Sequence, residues 1–372
     1  MKKVAIIQKS LPHYRIDFLN KLREELKKNE VELKLIYGKP KNDIKKDEVD
    51  LDWAILISNK TFEFQNKELI WQPCLPHIED QDLVIVEQAN KLVLNYLLIS
   101  KRLFSKQKFA YWGHGRNMQA NQDGFRNKFK NIFINRCDWW FAYTKGVKKY
   151  LSEMGFPSQK ITAVQNAINT QSLIKDFESI ENEEINELKE KLEITSENVG
   201  IYCGGIYEEK RIPFLIEAID QIKERIPDFV MLVIGAGTDA HLIEKAAQER
   251  SWLKYLGPKF GREKVLYFKL SKLFLMPGLV GLAVIDSFAL QTPMATTDYP
   301  YHSPEIEYLE NGVNGVVSGN SVGEYVEAVV EILTDDTKYE KLVNGCLESK
   351  SVYTSDKMAS NFADGIIQCL AE

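Results

Sequence analysis

Short, almost wholly apolar runs of strand length alternate with amphipathic stretches along this chain. Lys3–Gln8 leads through the loop Ser10-Leu11-Pro12-His13-Tyr14-Arg15 into a stretch from Asp17 to Lys28 with Phe18, Leu19, Leu22 and Leu26 at helical spacing, and Val31–Tyr37 supplies the next run. Far downstream the order recurs as Val199–Cys203, a glycine loop, a helix from Pro213 to Arg225 and the run Phe229–Ile234. A strand that is apolar throughout is buried on both faces, and helices between such strands cover a parallel sheet. The expected fold class is therefore α/β, with doubly wound sheets. With 372 residues, 44% of them hydrophobic, the chain can fill two such domains. The acid-rich run from Asp176 to Glu197 is the expected break: a solvated, partly helical linker at 176–198 between a first domain at 1–175 and a second at 199–351, followed by a last helix within 352–372.

Composition closes several classes. Five scattered cysteines, Cys74, Cys137, Cys203, Cys346 and Cys369, show no C-x-x-C spacing, so neither a disulfide framework nor a zinc site is expected, and a reducing, cytoplasmic setting fits. The apolar stretch after Met1-Lys2-Lys3 breaks well short of the roughly 7–15 residues of a signal peptide. No run approaches the roughly 20 apolar residues that span a bilayer. A net charge of −5 argues against a nucleic-acid partner. That average hides an asymmetry: from Lys91 to Lys149 thirteen lysines and arginines face only Asp123 and Asp138. Interleaved with Phe104, Phe125, Phe129 and Phe133, these cations suit peripheral docking on an anionic leaflet, with a lipid-linked acceptor as the corollary. A basic cleft for an acidic glycan, and plain solvated lysines, are the alternatives.

The chemistry concentrates in loops that follow strands. Met276–Val317 opens with the turn Pro277-Gly278-Leu279-Val280-Gly281 and runs into a helix from Val284 to Leu290 with Asp286 in its first turn, an arrangement that favours an anion. A polar loop with Tyr301, His302, Ser303 and Pro304-Glu305 follows. His114 sits between Gly113 and Gly115 just past the strand Phe109–Trp112, where it has little to pack against. Two D-x-D triplets, Asp50-Leu51-Asp52 and Asp80-Gln81-Asp82, read as surface acids, because one lies in a charged loop and the other precedes a strand. Gly235-Ala236-Gly237-Thr238-Asp239-Ala240 has the form of a dinucleotide fingerprint, with Glu249 or Glu263 available as the ribose acid, so an NAD-dependent oxidoreductase is one reading. Against it, a fingerprint normally opens its domain, and this one stands in the second unit.

The stretch 276–317 also resembles the donor-binding signature of family 4 glycosyltransferases, in which two glutamates bracket a Gly-Leu turn. Asp286 stands at the second glutamate and Gly278 at the first, while Val280-Gly281-Leu282, Asp286-Ser287-Phe288-Ala289, Thr292-Pro293, Pro304-Glu305 and Asn311-Gly312 keep register. The loop Gly204-Gly205-Ile206-Tyr207-Glu208-Glu209-Lys210-Arg211 resembles the family's diphosphate clamp: Lys210 keeps the lysine, Gly205 replaces the arginine, and Arg211 stands where glycine is usual. A surface ion pair with Glu208 or Glu209 is the bland reading of Lys210.

The resemblance implies a GT-B fold, two Rossmann-like domains facing across a cleft, with the helix in 352–372 returning to the first. It implies a retaining, metal-independent transferase of the bacterial capsule, lipopolysaccharide or exopolysaccharide type, moving a sugar from a nucleotide-diphosphate sugar to a glycan or lipid-linked glycan. Catalytic roles fall on His114, Lys210 and Asp286. Donor contacts fall on Gly204, Gly205, Lys210, Arg211, Gly235, Gly278, Leu279, Val280, Gly281, Leu282, Asp286, His302, Ser303 and Glu305. Acceptor contacts fall on His13, Tyr14, Arg15 and Arg116, although Arg15 read alone is equally a solvated loop residue. With Gly278 in place of an acid, the expectation is a different donor hydroxyl pattern, a compensating group such as His302, or a non-catalytic sugar-binding protein.

Overall fold

The computed structural model describes residues 1–39, 51–64, 67–115 and 135–372. Arg116, the loop at 40–50 and most of the helix expected from Phe125 to Arg136 lie outside them. Two compact units emerge, one of residues 1–169 with 355–372 and one of 170–354.

The first unit is built on a parallel sheet of β1 (Lys2–Gln8), β2 (Val31–Gly38), β3 (Ala54–Ile57), β6 (Leu83–Glu87), β7 (Lys108–Gly113), β8 (Trp139–Ala142) and β9 (Ile161–Ala163), in the order β3-β2-β1-β6-β7-β8-β9. Between β3 and β6 an antiparallel hairpin, β4 (Lys60–Phe64) with β5 (Lys67–Trp71), was not foreseen from the sequence. Burial follows composition: from Val4 to Gln8 every residue of β1 is buried, as are the four apolar positions of the helix Ile16–Lys28. The helix expected from Gln88 to Phe104 is shorter, Val93–Lys101. Before it, the Asn95 amide ties the chain back to the carbonyls of Glu87 and Ala89, and beyond it residues 102–104 form a turn. The last helix, Ser355–Ala371, belongs to this unit: Phe362 stacks on Phe141 at 4.2 Å and meets Trp112 and Phe18 edgewise or tilted.

The second unit carries a second all-parallel sheet, β10 (Val199–Gly205), β11 (Val230–Ala236), β12 (Leu253–Gly257), β13 (Leu273–Leu275), β14 (Met294–Thr297) and β15 (Gly315–Ser318), ordered β12-β11-β10-β13-β14-β15. The acidic run expected as a solvated, partly helical linker forms the helices Gln171–Ser179 and Asn182–Leu192, which instead pack within this unit against the helix Gly261–Leu270. Cations of that helix hold them. Arg262 reaches Ser179 Oγ at 2.7 Å and both carboxylate oxygens of Glu184, and Lys269 donates to the carbonyls of Phe177 and Ile180.

In each sheet the strand order reverses once, between β1 and β6 and between β10 and β13. Open parallel sheets bind ligands beyond the carboxyl ends of the strands at such a reversal.

Candidate active site

At the β10/β13 reversal the loop after β10 meets the loop after β13. Lys210 is buried, 6% exposed, and its Nζ donates to the Leu279 carbonyl with Met276 Sδ 3.8 Å away. Arg211 reaches the Pro277 carbonyl and Thr297 Oγ1, both at 3.3 Å, and the Asn320 amide oxygen, while its guanidinium covers the Phe214 ring at 4.1 Å. It adopts φ +56°, in the left-handed region that favours glycine, which explains physically why glycine suits this position. Neither cation forms an ion pair with a carboxylate among the described residues. Burial consequently lowers the Lys210 ammonium to about 8, with the charge of Glu209 acting weakly against the shift, and burial also holds Arg211 below its ordinary value.

The loop that these cations touch is fixed from behind. His302 is buried, accepts the Val280 N–H on Nδ1 at 2.9 Å and bonds the Thr297 carbonyl through Nε2 at 2.8 Å, an arrangement that requires the neutral Nε2–H tautomer. Burial, reinforced by Lys210 and Arg211, holds its pKa below the ordinary value. With both ring nitrogens committed to backbone, His302 braces the loop and has no nitrogen to offer in place of a carboxylate. The Leu279 and Val280 amides are likewise taken, by the Glu209 carbonyl and by His302. The Gly281 and Leu282 amides find no acceptor among the described residues and remain available to an anion. Ser303 N–H bonds the Val280 carbonyl at 2.9 Å, and Glu305 is buried in the short helical turn Pro304–Tyr308.

Gly278 has a steric reason to be glycine. A Cβ there would stand 2.5 Å from the Glu209 carbonyl oxygen and 2.5 Å from the Lys210 carbonyl carbon. The two loops close on each other where the resemblance would put a glutamate side chain. Gly235 and Gly237 are equally confined: their Cβ atoms would meet the carbonyl oxygens of Gly204 and Ile206 at 2.0 and 2.1 Å. Those glycines permit β11 to pack on the loop after β10, so the fingerprint-like turn approaches its own chain where a dinucleotide reading needs it to approach a pyrophosphate. Gly205 lies beside the Tyr207 ring, and its carbonyl accepts the Tyr202 hydroxyl at 2.6 Å.

Asp286, on the helix Ala283–Ala289, pairs through Oδ2 with Lys264 Nζ at 2.7 Å, both side chains mostly buried, at 16% and 15% exposure respectively. Its other oxygen, Oδ1, is buried without a hydrogen-bond partner. Burial opposes the charge on Lys264, yet the Asp286 carboxylate raises its pKa above the ordinary value. Sequence reasoning missed Lys264, whose place among ordinary charged helix residues gives no signal, and also missed Asn320, which as a residue just beyond β15 was open to the rule that finds sites after strands.

In the first unit the β1/β6 reversal is occupied by Arg15. Buried, it bonds Gln8 and the Tyr143 hydroxyl (2.7 Å), lies 3.6 Å from a Glu87 carboxylate oxygen and covers the Trp112 ring at 4.4 Å. Burial disfavours its charge, but Tyr143, Tyr14 and Glu87 together raise its pKa. Arg15 thus ties four strand ends together from inside, where the sequence reading had it meeting an acceptor. His13 and Tyr14 beside it are exposed, and so is His114, which meets Tyr143 edge to face at 4.7 Å.

Comparison with known proteins follows this geometry. The architecture of two parallel-sheet α/β units is the GT-B fold, as in the structure of Anabaena Alr3699/HepE in complex with UDP, with TM-score 0.72 and 12% identity over 99% of this chain and 100% of that one. Sucrose-phosphate synthase (tll1590) from Thermosynechococcus elongatus is similar at TM-score 0.71 and 14% identity, with both chains covered completely. Residues 197–335, which hold Lys210, Lys264, Asp286 and His302, match the family described as "Glycosyl transferases group 1". The chain is also 25% identical over 196 residues to the alpha-monoglucosyldiacylglycerol synthase of Acholeplasma laidlawii, a match spanning 51% of this chain and 48%, about half, of that protein.

Proposed function

We propose that this protein is a glycosyltransferase that moves a sugar from a nucleotide-diphosphate sugar to a hydroxyl of a glycan or lipid-borne acceptor. The observation that carries the reading is the adjacent pair Lys210 and Arg211 at the β10/β13 reversal, two cations drawn into a partly dry site without a carboxylate to neutralise them. Uncompensated buried charge is costly, and an anionic ligand removes the cost. In this reading the diphosphate lies against Lys210, Arg211 and the Gly281 and Leu282 amides, which stabilise the negative charge that develops as the glycosidic bond to phosphate breaks. These charges do the work that a divalent cation does elsewhere, so the proposed reaction is metal-independent. The Asp286 carboxylate, held in place by Lys264, accepts the nucleotide's ribose hydroxyls once a local shift uncovers its buried, unpartnered Oδ1.

The group 1 family match and the UDP held by a structure of the same fold support a nucleotide-sugar donor. Similarity to a synthase named for a glucosylated diacylglycerol supports a lipid-borne acceptor, which we place at the cytoplasmic face of a membrane. Retention of anomeric configuration and a place in cell-surface polysaccharide or glycolipid synthesis complete the proposal. The test is turnover of a nucleotide-sugar panel in EDTA by wild type and Lys210→Ala, with product stereochemistry read by NMR. The expected result is metal-free turnover that falls about 100-fold in the variant, as loss of roughly 3 kcal/mol of charge stabilisation gives. Binding of no nucleotide sugar would refute the proposal.

A further inference from the structure

Helix Val93–Lys101 of the first unit frays into a turn at 102–104 that ends in two large apolar side chains facing solvent, Leu103 at 73% and Phe104 at 91% exposure. Leu97, two turns back, is 43% exposed. Adjacent leucine and phenylalanine this bare do not help a surface in water, and a contiguous apolar tip marks a contact. Its surroundings say with what. From Lys91 to Lys108 the chain carries five cations and no carboxylate. Arg102 is matched by Asp138 at 2.6 Å and Lys91 by Glu68 at 3.0 Å, while among the described residues Lys101 bonds only the neutral Gln107, and Lys106, two residues from Phe104, is exposed. Exposed apolar side chains with Lys101 and Lys106 next to them in the chain match the two layers of an anionic bilayer leaflet: acyl chains for the first, phosphates for the second. A protein partner would have no need of these cations. Among the described residues no helix is long and apolar enough to cross a membrane.

We infer that Leu103 and Phe104 form a tip that inserts into the surface of an anionic lipid bilayer, with Lys101 and Lys106 on the headgroups. The inference does not rest on the transferase reading and is tested without any donor. Full-length protein is sedimented with vesicles of phosphatidylcholine alone or mixed with phosphatidylglycerol, and Phe104→Trp is followed by its emission.

Wild type is expected to sediment with the mixed vesicles and weakly with the neutral ones. Loss of each apolar side chain should reduce partition about tenfold or more, so Leu103→Ser/Phe104→Ser abolishes it. Lys106→Gln should reduce it about fivefold. Phe260→Ser, which removes a 76% exposed aromatic from the second unit, should change nothing. The added tryptophan should shift to the blue on mixed vesicles. Thermal melts of the variants should match wild type, since the replaced side chains are largely exposed. Equal sedimentation with neutral vesicles, undiminished binding of the double variant, or a tryptophan that stays in water would each overturn the inference. So would a wild-type dimer that the double variant dissolves without any vesicle binding, which would assign the tip to a second copy of the chain.

Discussion

Lys210 sets stability and binding against each other. Its pKa is lowered from 10.5 to about 8, so the folded protein prefers the neutral amine, and the cost of the buried charge is present in full below about pH 8. That cost amounts to about 3 kcal/mol and is relieved as pH rises from about 8 to 10.5, where the unfolded chain also loses its proton. Wild type without ligand should therefore gain stability over this window in denaturant titrations, and Lys210→Met should be more stable than wild type at pH 7 and lack the gain. Affinity for a nucleotide diphosphate should move oppositely, weakening as pH passes about 8. Identical pH profiles for the two proteins would show that Lys210 is not a buried charge. The residue's place at the sheet reversal was legible in the sequence because it sits in a loop after a strand and before a helix. His302 was misjudged for the reverse reason. A histidine in a polar loop reads as a ligand contact, and only the fold reveals that Val280 and Thr297 take both of its nitrogens.

Elements place these residues, and the loop 277–282 shows how. Gly278→Glu restores the acid of the resembled signature on paper, yet its Cβ has no room between the carbonyl groups of 209 and 210. The substitution should lower the melting temperature, by the equivalent of about 1–3 kcal/mol for overpacking, and should reduce turnover. A rise in turnover with unchanged stability would mean that the loop opens to admit the side chain. The same loop depends on neutral His302. Because burial depresses the pKa of His302, its stabilising bond to the Val280 amide is intact above about pH 6.5 and is lost as pH falls through the lower folded value. Hydrogen exchange at Val280 should accelerate in that acid range, and His302→Ala should make it fast at all pH values. Strands were legible because a continuous apolar run has few other uses. The packing of the two acidic helices at 171–192 into the second unit was not, since a carboxylate-rich face reads as solvated until Arg262 and Lys269 are seen bonding it. The hairpin at 60–71 escaped because its strands are short and half polar.

Over the molecule as a whole, the first unit is assembled from the two ends of the chain. Phe362 fills the space between Phe141, Trp112 and Phe18, and Phe362→Ala should cost about 3–5 kcal/mol in the first unit while leaving the unfolding of the second unchanged. Differential scanning calorimetry with two resolved transitions would show this, and a shift of both together would mean that the units unfold as one. Two sheets of the GT-B type were legible from the recurring strand and helix order. The boundary at residues 169–170, ahead of the acidic helices, depends on packing that no composition records.

Because residues 355–372 complete the first unit, the second, 170–354, is an insertion within it. On the ribosome the second unit's sequence is finished before the last helix of the first has emerged. Domains fold as their chains become available, at synthesis rates of about 5–20 residues per second. The amino-terminal sheet must therefore wait, its Trp112 and Phe141 faces uncovered, while the later-encoded unit folds, and a nascent chain stalled near residue 354 should engage chaperones through the half that was made first.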